Sequence, residues 1–516
     1  MTPLAIASAL ESLGLVLIAA LIGGWLLASS ERLRWTSAVL VLAVAPLVLA
    51  GSVVGDEQSS LPELSTPLIG AALVAGAIAL LAAAAFFVRF PRLVMPIALG
   101  TIAFRVPIEI GGDSVKLLLP LYLTIGGAVV ARAWQHWRGR VVDTPRGPKL
   151  LDVTIVIFLG LYAVQSLYAG DVSVATQNFC FFYAPFVLLY GLAASQKWDA
   201  KLLRTCAITL VTVALVLVFA GFIEFARGRY LITIGGSQPS DFDPYFRVQS
   251  LFFDPNIYGR FLAIVMLVVT AVMLYTNKTR RVLGAALILA ILWAGLVLSL
   301  SQSSFAALLA GLVVLAALRW KAKPVLIVTG VVALAGLIFA IALPSVTGVE
   351  LTTSKGAEKS TSGRFDLVTG GATLWGQKPF FGHGSGDFSE SYRANKLAKR
   401  TVFGPASTTK SHTAPLTVAA EQGIVGFAAF IALLVAGFGA VFRRVGKEDG
   451  PRGRPGLVAR VAVAAGFTAI FVHALAYAAF LEDPLMWALL GAAVSLAAIP
   501  RNGADETVDT DDPALS

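Results

Sequence analysis

The chain has 516 residues, of which 57% are hydrophobic and only 14% charged, with a formal net charge of +10; a soluble domain carries about 25% charged residues. That composition excludes a soluble enzyme or binding module. The basic excess does not indicate a nucleic-acid partner, because much of it sits in short clusters between apolar runs, as at Arg32 with Arg34, Arg89 with Arg92, Lys278 with Arg280 and Arg281, and Arg319 with Lys321 and Lys323.

Apolar runs of about 17–25 residues, long enough to cross a bilayer as helices, fall near residues 9–29, 36–54, 67–88, 93–110, 115–133, 151–169, 179–195 and 206–226. Others follow near 257–276, 282–300, 304–318, 324–344, 413–441, 459–480 and 485–499. None shows the period-two pattern of barrel strands, so the predicted fold is all-α, a polytopic helical membrane protein with about 14–15 transmembrane helices. Alternate loops are basic, which by the positive-inside rule makes them cytoplasmic. The first cationic residue is Arg32, so the first run lacks the charged start of a cleavable signal and is expected to stay as a helix with its N-terminus outside. Cys180 and Cys206 each open one of two adjacent predicted helices, on opposite sides of the membrane, too far apart for a disulfide.

The opposite loops are not basic in this way. The one near 55–66 carries Asp56 and Glu57, and the one near 227–256 is rich in aromatics, Gly and Asp. The longest, 345–412, contains apolar residues at helical spacing, among them Phe365, Leu367, Leu374 and Trp375; a long structured loop of this kind is usually functional. The expected divisions are membrane helices over 1–344, this extracytoplasmic loop over 345–412, C-terminal membrane helices over 413–500, and a disordered acidic cytoplasmic tail over 501–516.

Within the long loop, Ser362-Gly363-Arg364 begins a predicted helix that ends near Gly376 and Pro379. Gly382, Gly384 and Gly386 then space a turn ending at Phe388, and Ser411-His412-Thr413-Ala414-Pro415 leads into an apolar helix carrying Glu421, Gly423 and Gly426. Upstream stand Arg247 to Ser250, Phe253-Asp254-Pro255-Asn256, and Gly259-Arg260.

In this order and spacing, residues 245–445 resemble the O-antigen ligase and polymerase family of bacterial membrane proteins. The resemblance implies a GT-C-like, metal-independent, inverting glycosyltransferase of the bacterial inner membrane, with no cofactor and its active site on the extracytoplasmic side. It also implies a polyprenyl pyrophosphate-linked glycan donor and a lipid or glycan acceptor. The chain departs from the family pattern at Thr413, where Asn or Ser is usual, and at Ser301-Gln302-Ser303-Ser304, which lacks the usual Arg. Arg247 or Arg260 is expected to supply the missing cation.

Such a reaction needs a base for the acceptor hydroxyl and cations for the leaving pyrophosphate. His412 is the candidate base, its imidazole largely neutral near pH 7 with an ordinary pKa of about 6.5. Arg364 leads the candidate pyrophosphate ligands because a guanidinium forks onto phosphate oxygens; Arg260, Arg105 and Arg247 follow, the first two placed inside predicted spans where a charge is costly. The plainer readings are a boundary histidine bonded to its loop and solvated loop arginines. His383 could touch sugar or phosphate, though the turn chiefly needs its glycines for unusual dihedrals. Glu421 lies on the opposite helix face from His412 and reads as a packing residue; His136 and His473 receive no role. Asp241-Phe242-Asp243 resembles a nucleotide-sugar metal motif but is short enough to arise by chance, and no phosphate loop for ATP is present. Two other classes stay open: an enzyme using polyprenyl-monophosphate sugars with Asp56 or Glu57 as base, and a non-enzymatic polysaccharide or lipid transporter.

Overall fold

The computed structural model describes residues 3–55, 66–110, 113–140, 147, 149–232, 246–342, 364–395, 400–401, 404–405, 413–443, 445, 455–477 and 479–498. His412, Asp56, Glu57, Asp241 and the acidic tail lie outside them.

Helices dominate, as the apolar runs require. The first five are α1 (Pro3–Leu27), α2 (Glu31–Gly55), α3 (Thr66–Arg89), α4 (Val94–Thr101) and α5 (Leu119–Trp137). Next come α6 (Lys149–Gln165), α7 (Val172–Asn178), α8 (Ala184–Ala194), α9 (Ala200–Arg227), α10 (Pro255–Leu274), α11 (Thr279–Ser299), α12 (Gln302–Arg319) and α13 (Ala322–Ala342). The long loop contributes α14 (Arg364–Gln377) and α15 (Phe388–Ala394), and the C-terminal part α16 (Ala414–Phe442), α17 (Pro455–Ala474) and α18 (Pro484–Ala498). Two short antiparallel hairpins are also present among the described residues, β1 (Val106–Ile110) with β2 (Asp113–Leu117), and β3 (Arg400–Thr401) with β4 (Gly404–Pro405).

Ten of the described helical stretches are long and apolar enough to cross a membrane, and a bent pair would be an eleventh if counted as one span. The difference from fifteen expected spans has local causes. The run 93–110 is not one helix, since its helix α4 ends at Thr101, and Pro91 bends the chain before it so that α4 leaves at 111° to α3. Only eight residues long, α4 reaches about 12 Å, far short of the roughly 30 Å hydrocarbon core. Pro107 and Glu109 then lie in a strand. Run 485–499 becomes α18, with 15 residues. Run 179–195, by contrast, is part of one span from Val172 to Ala194, α7 passing through a π-turn at Phe179–Tyr183 into α8.

With lipid tails as apolar as the helices themselves, close packing has to hold the bundle, and small residues permit it. Where α10 crosses α12, a Cβ on Gly311 would lie 2.2 Å from Leu267 Cδ1, and one on Gly259 2.7 Å from Ser304 Oγ. This seam, with α17 packed against both helices, brings the starts of α10 and α12 together, and much of the polar chemistry of the molecule lies there.

Candidate functional site

The site is built from the start of α10. Asp254 caps that helix, its Oδ1 accepting from the Asn256 and Ile257 amides at 2.7 and 3.2 Å, with Pro255 in the first turn. Its Oδ2 accepts the Tyr477 hydroxyl at 2.5 Å. Burial, and next the Asp254 carboxylate, raise the Tyr477 pKa above its ordinary value, so the phenol remains a donor. Asn256 Oδ1 is a hub: Arg247 Nη2 donates to it at 3.0 Å and Ser301 Oγ at 2.9 Å. Arg247 Nε donates to the Ser299 carbonyl at 3.2 Å. Ser301 caps α12 and stands 2.8 Å from Ser304 Oγ and 3.2 Å from Ser303 Oγ, and the latter is 3.1 Å from His473 Nε2.

One turn further along α10, Arg260 meets Asp483 at 2.7 Å and donates to the Ala479 carbonyl at 2.8 Å. The two side chains are 3% and 4% exposed, so the pair is dry, and removing one partner would strand a buried charge. Asp483 also accepts the Leu485 amide at 2.8 Å and so caps α18. Arg105, between α4 and β1, lies 5.8 Å from the centre of the Phe252 ring and in the field of Arg260, Asp254 and Asp483. Its Nε is buried with no hydrogen-bond partner. Arg247 and Arg260 each bond to the protein through two of their nitrogens, whereas Arg105 has a buried Nε with no protein partner among the described residues.

The glycine turn and α16 form a second unit. Gly423 has φ +62° and ψ −164° inside α16, which breaks the helix there and frees backbone groups on both sides. The preceding turn takes them up: the Ile424 and Val425 amides donate to the Pro379 and Phe380 carbonyls at 2.8 and 3.3 Å, while the His383 and Gly384 amides donate to Ala420 and Glu421 at 3.1 and 2.9 Å. Gly382, Gly384 and Gly386 have φ of +72°, +117° and +80°. A Cβ on each would run into the backbone of Glu421, Ala169 and Ala175 respectively, so the spacing serves a turn threaded between α16 and the start of α7. Glu421 Oε2 accepts the Gly386 amide at 3.1 Å, and Gln165 Nε2 donates to Gln422 and Phe381 at 3.0 and 3.3 Å. His383 is buried, with Nε2 3.0 Å from the Leu374 carbonyl. Burial is the main reason its pKa is lowered, which keeps the ring neutral.

Between the two units lies a cavity of about 30 Å³, room for one or two waters. Tyr162, Tyr183, Glu421 and Glu482 line it, together with Ala414 and Thr417 from the first turn of α16. Glu482 and Asp483 are adjacent, so the 475–483 segment joins this cavity to the arginine cluster. Phe480 anchors the segment among Phe430, Phe467 and Phe471, with ring centres 6.1 Å away in each case.

Of the predicted residues, Arg105, Arg247 and Arg260 come together. Arg364 opens α14, which packs on α16, and His412 is outside the described residues. The serines that stand in place of an arginine at 301–304 converge with Arg247 on Asn256. Tyr477, Glu482 and Asp483 were missed, and His473 was left without a role. The available signal was an acidic pair flanked by apolar spans, since ionisable residues in such settings are rare and tend to be functional.

Residues 287–431 match the family model described as O-antigen ligase. The match begins within α11, takes in α12 to α15 and ends within α16, and leaves Arg105, Arg247, Arg260, Glu482 and Asp483 outside it. Among curated proteins none matches.

Proposed function

We propose that this chain, which carries an O-antigen ligase family domain over residues 287–431, is a membrane glycosyltransferase that moves a glycan from a polyprenyl pyrophosphate carrier to a lipid or glycan acceptor on the extracytoplasmic face. The observation that carries the proposal is the guanidinium cluster at the start of α10, with the unpartnered Arg105 Nε directed to no protein group. A pyrophosphate is the ligand class that such donors suit, through charge-assisted hydrogen bonds.

In the proposed reaction the acceptor oxygen attacks the anomeric carbon and its proton passes to the His412 imidazole. The bond from that carbon to the pyrophosphate oxygen breaks, and its electron pair leaves with the lipid pyrophosphate. Arg105 and Arg364 stabilise the charge growing on the leaving group, and Arg247 and Arg260 hold the surrounding frame. What supports His412 as base is that Ala414 and Thr417, just after it in the chain, line the cavity with Glu482 and the two tyrosines. General-base help of this kind is worth about 10²–10⁴-fold.

The test is transfer by the reconstituted protein from a lipid pyrophosphate-linked oligosaccharide, comparing wild type, His412→Ala and Arg105→Gln, each checked for folding. Loss of transfer in both folded variants is the expected result, and the product distinguishes ligation from polymerisation. Wild-type rates in His412→Ala would remove that base and return Asp56 and Glu57 to consideration.

A further inference from the structure

A second cavity begins one turn past this cluster, at Ile264 and Leu485, and extends away from it. It measures about 890 Å³ and opens between α9, α10, α11, α17 and α18, with mostly aliphatic walls. Its volume is within the roughly 300–1,000 Å³ range of sites that hold small molecules. Arg204, Lys278 and Arg281 stand around one end, beside Thr276 and Asn277. All three cations are exposed, and none forms an ion pair among the described residues. From Arg260 to Leu274, α10 runs about 21 Å at 1.5 Å per residue. The basic end therefore lies most of a hydrocarbon thickness away from the arginine cluster.

We propose that this cavity holds one anionic glycerophospholipid, with its acyl chains in the aliphatic cleft and its phosphate at Arg204, Lys278 and Arg281. The cleft lies among helices long enough to span a bilayer, and an empty apolar cleft there would forfeit the dispersion contacts that hydrocarbon supplies. The three unpaired cations select the headgroup. They lie in loops or helix starts that the positive-inside rule makes cytoplasmic, where the anionic lipids are concentrated. A zwitterionic headgroup offers them no net charge, and the small polar groups of Thr276 and Asn277 provide further donors to a phosphate. The occupant does not depend on the transfer reaction proposed above.

The test measures lipid retention on the purified full chain. Lipid surviving detergent washing is extracted and quantified by mass spectrometry. Phosphatidylglycerol, phosphatidylcholine and polyprenyl phosphate are then added back separately and their retention is compared. The expected result is one anionic phospholipid per chain, retained about fivefold less for each of the three cations replaced by alanine. Gly284→Leu should abolish retention without disturbing the fold: Gly284 lines the cavity, a Cβ there meets nothing within 4 Å, and leucine favours the helix. Equal retention of phosphatidylcholine and phosphatidylglycerol, preference for polyprenyl phosphate, or retention unchanged in Gly284→Leu would each overturn the proposal.

Discussion

Replacing Gly423 by alanine tests whether the glycine turn and α16 are one unit. The φ of +62° with ψ of −164° belongs to a region that essentially only glycine occupies, and holding another residue there costs of order 1–3 kcal/mol. The added Cβ would also lie 2.4 Å from the Phe380 carbonyl carbon and oxygen and 2.6 Å from the Gly382 nitrogen, all backbone atoms that cannot rotate away. Relief requires the turn to withdraw, which loses the four hydrogen bonds between 379–384 and α16, each worth about 1 kcal/mol net. The strain and the four lost bonds together make the expected destabilisation about 5–7 kcal/mol. Gly439 provides the control: it lies on the same helix with nothing within 4 Å of its Cβ, so Gly439→Ala should be stabilising by about 0.5–1 kcal/mol. The assay is thermal unfolding of the detergent-solubilised protein, with hydrogen exchange read at residues 380–386. If Gly423→Ala melts with wild type, or Gly439→Ala falls equally far, the coupled-unit reasoning is wrong.

Other outcomes follow from the same geometry. Asp483→Asn or Arg260→Met alone should destabilise by about 3–5 kcal/mol, whereas the double variant should recover much of the loss, a coupling that a double-mutant cycle in thermal unfolding measures. Arg105→Gln should lower transfer about 10–100-fold, the value of a hydrogen bond to a charged group, with little change in melting temperature because its Nε bonds to no protein atom. His383 links stability to pH. Its folded pKa lies below the ordinary 6.5, so the unfolded chain takes up a proton that the buried ring resists, and stability present above pH 6.5 is lost as the pH falls through and below it. Melting temperatures from pH 7.5 to 5 should fall for wild type, and more shallowly for His383→Gln.

Much of the architecture was legible in the apolar runs, because a bilayer demands helices of a set length. Pro91 falls between the apolar runs 67–88 and 93–110, yet its consequence was not legible: a proline there is compatible with two separate spans as well as with the 111° turn observed. The arginine cluster was partly legible, since Arg105 and Arg260 are charges in apolar surroundings. Their partners were not, because Asp483 is 223 residues from Arg260 and nothing local pairs them. The Glu421-x-Gly423-x-x-Gly426 pattern reads along one helix as a face. Its meaning lies in the broken backbone at Gly423, which only the turn from 379 to 386 makes affordable. Gly426 has a different cause, since a Cβ there would meet the Gln422 side chain.

The short segment from Tyr477 to Asp483 has a practical consequence for building hybrids. Within seven residues it fastens to Asp254 and Arg260 on α10 and also contributes a wall beside the first turn of α16. A chimera that exchanges the central helices while keeping its own C-terminal pair would carry a mismatched clasp, with a guanidinium facing the wrong side chain. Residues 246–320 and 455–498 are thus a single inheritance unit, remote in the gene but replaceable only together.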